Sequence, residues 1–111
     1  MNIEIPEEYT VGGQLLKVDF VDSLDGKLGT CCLGAGFVRI AHTFNGERQS
    51  ETSKQNTFYH EMTHTILDTM GRNDLSGDEV FVNSFTSFLL EALKSFKFSN
   101  NKDETVQIRR I

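Results

Sequence analysis

The chain has little of what would assign it to a membrane, a nucleic acid or an oxidising compartment. No apolar run approaches the roughly 18 residues of a membrane-spanning helix, and no basic-then-apolar leader opens the sequence. Lys and Arg number 11 against 16 Asp and Glu, a net charge of −5. Phosphate-rich surfaces need clustered cations, and the one basic pair, Arg109-Arg110, stands at the C-terminus as a solvated pair. Neither a nucleic acid nor an anionic membrane is therefore expected as a main partner. Cysteine occurs only at Cys31 and Cys32. A disulfide between adjacent residues would be strained, so both are expected to be free thiols in a reducing cytosol. Their spacing fits no usual zinc motif. Internal repeats and low-complexity segments are absent too.

What remains is one ordinary globular domain. With 111 residues, 38% hydrophobic and 24% charged, it is long enough to bury a core without staples. Residues 1–6 read as a short strand, with Ile3 and Ile5 alternating and Pro6 ending it. Gln14–Val21 alternates Leu16, Val18 and Phe20 against Lys17 and Asp19, the pattern of a half-buried antiparallel strand. A helix over Tyr9–Val21 is the competing reading, weakened by Gly12-Gly13. Asp25-Gly26 marks a reversal. Strands are expected at Thr30–Leu33 and Phe37–Thr43, with Gly34-Ala35-Gly36 turning between them, Val38 and Ile40 sharing a face, and Asn45-Gly46 closing the second. Glu47–Ser53 reads as loop.

Two helices follow. Thr52 as N-cap with Gln55 at the third position has the form of a capping box, and Gly71 sits where a left-handed C-terminal cap belongs. Phe58, Met62, Thr65, Ile66 and Thr69 make one stripe of this helix; His60, His64 and Leu67/Asp68 make the neighbouring one. Arg72–Leu75 is a turn. Ser76-Gly77-Asp78-Glu79 is a second capping-box pattern, opening a helix to about Phe96. On it Phe81, Phe85, Phe88/Leu89, Ala92 and Phe96 recur at helical spacing and are expected to face the core. Ser99–Glu104 reads as loop, and Thr105–Ile111 as an edge strand or a frayed tail.

The chemistry lies in His60-Glu61-Met62-Thr63-His64. Two histidines four apart on a helix lie about 40° apart around its axis and about 6 Å along it, so both imidazoles can meet one ion. A carboxylate directly after the first histidine points towards the side where a water on that ion would sit. This is the hydrolytic zinc arrangement of two nitrogen ligands, a third protein ligand, an open position and a base.

Residue chemistry leaves the third ligand open. Glu79 lies in the first turn of the next helix, where a tight antiparallel helix pair would bring it back towards the histidines. Its alternative role is local, bonding back to the Ser76 backbone N–H as the third residue of the capping box. Asp78 is its neighbouring rival. Asp68, one turn after His64, is a further candidate, better suited to accept an imidazole N–H and fix the tautomer. His42, at the end of a strand, is either a partly exposed surface residue or a donor to the oxyanion of a hydrolytic intermediate. Tyr59 is a weaker candidate for that second role, because it adjoins His60 and should point away.

Taken together, Phe37-Val-Arg-Ile-Ala41, Thr57-Phe58-Tyr59-His60-Glu61-Met62-Thr63-His64 and Glu79-x-x-Val82-Asn83-x-Phe85 resemble the ImmA/IrrE-type metallopeptidases, and more closely the very small metallopeptidases of phages and prophages. The resemblance covers roughly residues 29–90. It implies Glu79 as the third zinc ligand and Asn83, one turn later, as an outer or structural partner. It also implies an α+β, zincin-like minimal domain: a small, mostly antiparallel sheet packed against an active-site helix and a second, C-terminal helix. The family often has Gly at the position of Thr63 and His at that of Asp68. Larger relatives often carry a helix-turn-helix extension, which this sequence lacks, so a regulator-cleaving role is not implied.

The expectation is a cytoplasmic enzyme, in a bacterium or a phage-infected host cell, that hydrolyses peptide bonds of a peptide or protein substrate. Zn2+ would be held by His60, His64 and Glu79, with Glu61 as general base. The substrate would pair with an edge strand near Phe37–Thr43. The rival expectation is a zinc-stabilised binding module in which Glu61 does no chemistry.

Overall fold

The structure is a computed structural model that describes residues 4–99. It is an α+β arrangement of strands β1 (Glu8–Val11), β2 (Gln14–Val21), β3 (Gly29–Cys32), β4 (Phe37–Ala41), β5 (Thr43–Phe44) and β6 (Glu47–Arg48), then helices α1 (Glu51–Thr69), α2 (Asn73–Ser76) and α3 (Glu79–Lys94). The expected segments Arg109-Arg110 and Thr105–Ile111 lie outside the described residues. Among those described, no helix is long and apolar enough to cross a membrane.

The main sheet runs β1-β2-β4-β3. β1 and β2 form an antiparallel hairpin about Gly12-Gly13, both at positive φ. β3 and β4 are also antiparallel, but β2 and β4 run parallel, so the sheet is mixed. Burial explains why β4 is central: Val38, Ile40 and Ala41 have no exposed surface, whereas Gly29-Thr30-Cys31-Cys32 suits an edge. β4 therefore cannot offer the free edge expected near Phe37–Thr43.

The first strand is displaced. Residues 4–6 form no strand, and pairing begins at Glu8, where Tyr9 turns inward. The Tyr9–Val21 helix does not form, because Gly12-Gly13 supplies a hairpin turn. Glu47 and Arg48 are not loop; they pair with Phe44 and Thr43 across Asn45-Gly46, a turn with φ +52° and +84°.

Helix α1 starts earlier than its capping-box pattern suggests. Ser50, not Thr52, is the N-cap, its Oγ accepting from Ser53 N at 3.1 Å. Gly71, at φ +75°, follows the helix as expected. α1 lies between the sheet and α3. Phe58 and Met62 pack towards Val18, Val38 and Ile40, with Ile5, Tyr9, Cys31 and Tyr59 around them. The opposite side is closed by hydroxyls: Thr63 is buried under α3, 3.3 Å from Thr86 Oγ1, and donates to Tyr59 O at 2.8 Å.

The expected phenylalanine core face of α3 is overturned. Its buried residues are Val82, Thr86 and Leu90, while Phe85, Phe88 and Phe96 are 45%, 70% and 50% exposed. The helix has turned its smaller residues towards α1, where Thr86 meets Thr63.

Candidate metal centre

α1 carries His60 and His64 on its solvent-facing flank, their ring centroids 5.0 Å apart. The Arg72–Leu75 turn of the sequence reading is in fact the start of α2, a single helical turn at Asn73–Ser76. α2 brings the chain back along α1. Asp78 then caps α3, its Oδ1 accepting from Phe81 N at 3.1 Å. This makes Glu79 the first residue of α3, so the expected capping box with Ser76 as N-cap does not form. Glu79 is directed at the histidines instead.

His60 Nε2 lies 3.3 Å from Glu79 Oε1, and His64 Nε2 lies 3.5 Å from Oε2. One ligand atom from each of the three residues lies within 4.8 Å of the other two. A tetrahedral zinc site with bonds of about 2.0–2.1 Å has neighbouring ligand atoms about 3.4 Å apart. Each imidazole lies near that separation from a different oxygen of the Glu79 carboxylate, and the two-nitrogen, one-carboxylate donor set suits zinc.

Ser76 has a role that sequence reasoning missed. Its Oγ is 3.0 Å from His64 Nδ1. A neutral imidazole that offers Nε2 to a metal carries its proton on Nδ1, and Ser76 can accept it. This is the function expected of Asp68. Among the described residues neither imidazole bonds to Asp68, and Asp78 is occupied as the α3 cap. The signal for Ser76 was hidden by the capping-box pattern it also fitted.

Glu61 is 9% exposed and turns from the histidine flank towards β3. It borders a cleft of about 300 Å3 together with His60, Gly29, Thr57, Asn56 and Asn83. Gly29 makes this approach possible: a Cβ there would stand 2.5 Å from Thr57 Cγ2 and 3.3 Å from Glu61 Cγ. Cys31, half-buried on β3, stands near the Glu61 carboxylate. Burial, and then that carboxylate, hold the Cys31 thiol far above the usual thiol range. Tyr9 is pushed up to about 12, chiefly by burial, while its hydroxyl meets Thr65 Oγ1 at 2.7 Å. Both cysteines are free, and neither joins the histidine cluster.

His42 is placed elsewhere. It stacks on Phe20 at 5.3 Å, with Nδ1 3.4 Å from Lys54 Nζ, and does not border the cleft. Tyr59 packs edge-on against Phe58 at 4.9 Å, and burial raises its phenol. Asn83 is exposed and borders the cleft opposite Gly29.

No protein-family model, curated protein or solved structure matches this chain.

Proposed function

We propose that the chain is a zinc-dependent metallopeptidase, with His60, His64 and Glu79 as ligands and Glu61 as general base. The observation that carries the reading is the convergence of two imidazoles and one carboxylate, contributed by two helices, with a ligand atom of each within 4.8 Å of the others. The sequence resemblance to the ImmA/IrrE-type enzymes supports it on the same three residues. When bound, zinc would polarise the scissile carbonyl and lower the pKa of a bound water towards about 7.

The chain's own residues do the rest. Glu61 takes the proton at its carboxylate and returns it to the leaving amine. Its low exposure keeps that carboxylate from competing water. β3, with a free edge beside the cleft, can add an extended substrate as a further strand. The expected pairing site thereby moves from β4 to β3. Asn83 and Asn56 can bond the substrate backbone from the other side of the cleft.

Two measurements test the proposal in sequence. A metal-free centre, in which both imidazoles simply donate to Glu79, would make the same contacts. One equivalent of zinc in the wild type, lost in His60→Ala, supports the metal site; full retention of zinc in that variant overturns it. Glu61→Gln is then expected to keep zinc and lower peptide cleavage by about 10²–10⁴-fold. If the wild type cleaves nothing across a broad peptide library, or Glu61→Gln cleaves equally well, the ligands serve a binding module and the hydrolase reading fails.

A further inference from the structure

Helix α3 carries no charged residue from Val80 to Leu90, in a chain that is 24% charged. Part of its exposed surface is a strip of phenylalanines, Phe85 and Phe88 being 45% and 70% exposed. Phe81, Phe85, Phe88 and Ala92 alternate at spacings of four, three and four, the pattern of a helix–helix seam. At about 100° per residue the seam is centred about 125° from the stripe of Val82, Thr86, Leu90 and Leu93. Asn83, at the metal cleft, points about opposite to the seam.

We propose that this face is the two-fold interface of a homodimer, α3 packing on α3 of a second copy of this chain. Three observations favour a second copy as the occupant. The first is area. Met70, Phe85 and Phe88 are 64%, 45% and 70% exposed, and with Ala92 and the half-buried Phe81 beside them this amounts to on the order of 400 Å2 of apolar surface for side chains of this size. A standard interface covers about 800 Å2 on each partner and is about 60% apolar, which requires about that much.

The second observation is self-complementarity. Between α1, α2 and α3 lies a hollow of about 260 Å3, bordered by Ile66, Met70, Leu75, Phe81 and Phe85. A cavity of about 150 Å3 already accepts a benzene ring. The projecting ring and the hollow that accepts it are on the same face, as a two-fold interface requires. The third is charge. Each chain carries −5, which opposes self-association elsewhere, whereas Ser84 and Leu89, which flank the seam on α3, carry no charge and let the helices approach. The dimer leaves the cleft at Glu61 open, so it does not depend on the peptidase reading.

Sedimentation velocity on the full chain tests the interface. The wild type is expected to run as a species of twice 12.5 kDa. Phe88→Glu should weaken association at least about thirtyfold, as loss of an interface hot spot does. Val80→Glu is the control, since Val80 is 77% exposed on the same helix but off the seam; it should remain dimeric. Far-UV circular dichroism and zinc content should be unchanged in both. A monomeric wild type, which would mean that another partner or none covers the face, overturns the proposal. So does a Phe88→Glu protein that keeps native dichroism and stays dimeric, or a Val80→Glu protein that dissociates equally.

Discussion

At the scale of single residues, Ser76 is placed to set how His64 would meet an ion. Ser76 Oγ, 3.0 Å from Nδ1, can accept the Nδ1 proton, which would leave Nε2 free for zinc. Residues that orient a ligand in this way typically contribute tenfold to hundredfold in metal affinity. Ser76→Ala should therefore bind zinc about 10–100-fold more weakly in competition with a chromogenic chelator, and Ser76→Thr should recover most of the loss. Equal affinities in wild type and Ser76→Ala would remove Ser76 from the site. The alkaline limb of stability belongs to Cys31 and Tyr9. Both titrate higher in the folded protein than in an unfolded chain, because both are buried. An unfolded chain thus loses these protons first, and stability should fall as pH rises. The fall begins near the ordinary thiol value of about 9 and continues through the tyrosine window from 10.0 to about 12. Neither side chain is wholly buried, so each contributes less than the full-proton slope of about 1.4 kcal/mol per pH unit. Urea titrations from pH 8 to about 11 should show a shallower fall in Cys31→Ala; an identical slope would mean that Cys31 does not contribute.

At the scale of elements, the site depends on how closely β3 and α1 approach, and Gly29 sets that distance. A methyl group at Gly29 meets Thr57 Cγ2 and Glu61 Cγ. Gly29→Ala should cost about 1–3 kcal/mol, as other overpacking changes do. Combining it with Thr57→Ser, which removes the nearer methyl, should return part of that loss in a double-mutant cycle. Strict additivity of the two changes would show that the contact is not the cause. Asp78 gives a second case. It is the α3 cap, so Asp78→Asn, which keeps an acceptor, should retain zinc and most of its stability, while Asp78→Ala loses about 0.5–2 kcal/mol. Loss of zinc in Asp78→Asn would make Asp78 a ligand after all. These elements were unequally legible in the sequence. β2 was readable in its bounds and in Leu16 and Val18, which alternate with Lys17 and Asp19, whereas Phe20, expected on the same buried face, is 41% exposed and stacks on His42. The α3 stripe was not, since helical spacing alone cannot tell an aromatic face that is buried from one left at the surface. What α3 buries is set by Thr63 and Thr86 across the helix pair, a long-range fit with no local signature. The central place of β4 was hidden for the same reason, because local alternation carries no strand order. The hairpin at Asn45-Gly46 did have a local signature, and it was read as a strand end.

At the scale of the whole molecule, α1 is the member on which everything else closes. It takes Phe58 and Met62 to the sheet, Thr63 to α3, and His60 and His64 to the flank where α2 returns. The α+β class and the histidine pair followed from short-range patterns. The position of Glu79 against both imidazoles depends on the return path through α2, which a nineteen-residue helix followed by a one-turn helix does not announce. An ion shared by α1 and α3 would cross-link elements joined otherwise mainly by Thr63, Thr86, Leu67, Val82 and Leu90. Metal binding and folding are then one equilibrium, because the unfolded chain does not hold the three ligands together. Zinc at about a hundredfold excess over its dissociation constant should stabilise the fold by about 2.7 kcal/mol. For a domain of this size that corresponds to a rise in Tm of about 10–20 °C. The rise should be reversed by a chelator and absent in His60→Ala and Glu79→Ala, while magnesium, which favours oxygen ligands, should produce little of it. Scanning calorimetry with and without zinc makes the measurement. A His60→Ala protein that gains the same increment would place the stabilising zinc outside this centre. A wild type that gains none would leave Glu79 a carboxylate paired with two imidazoles and no ion between them.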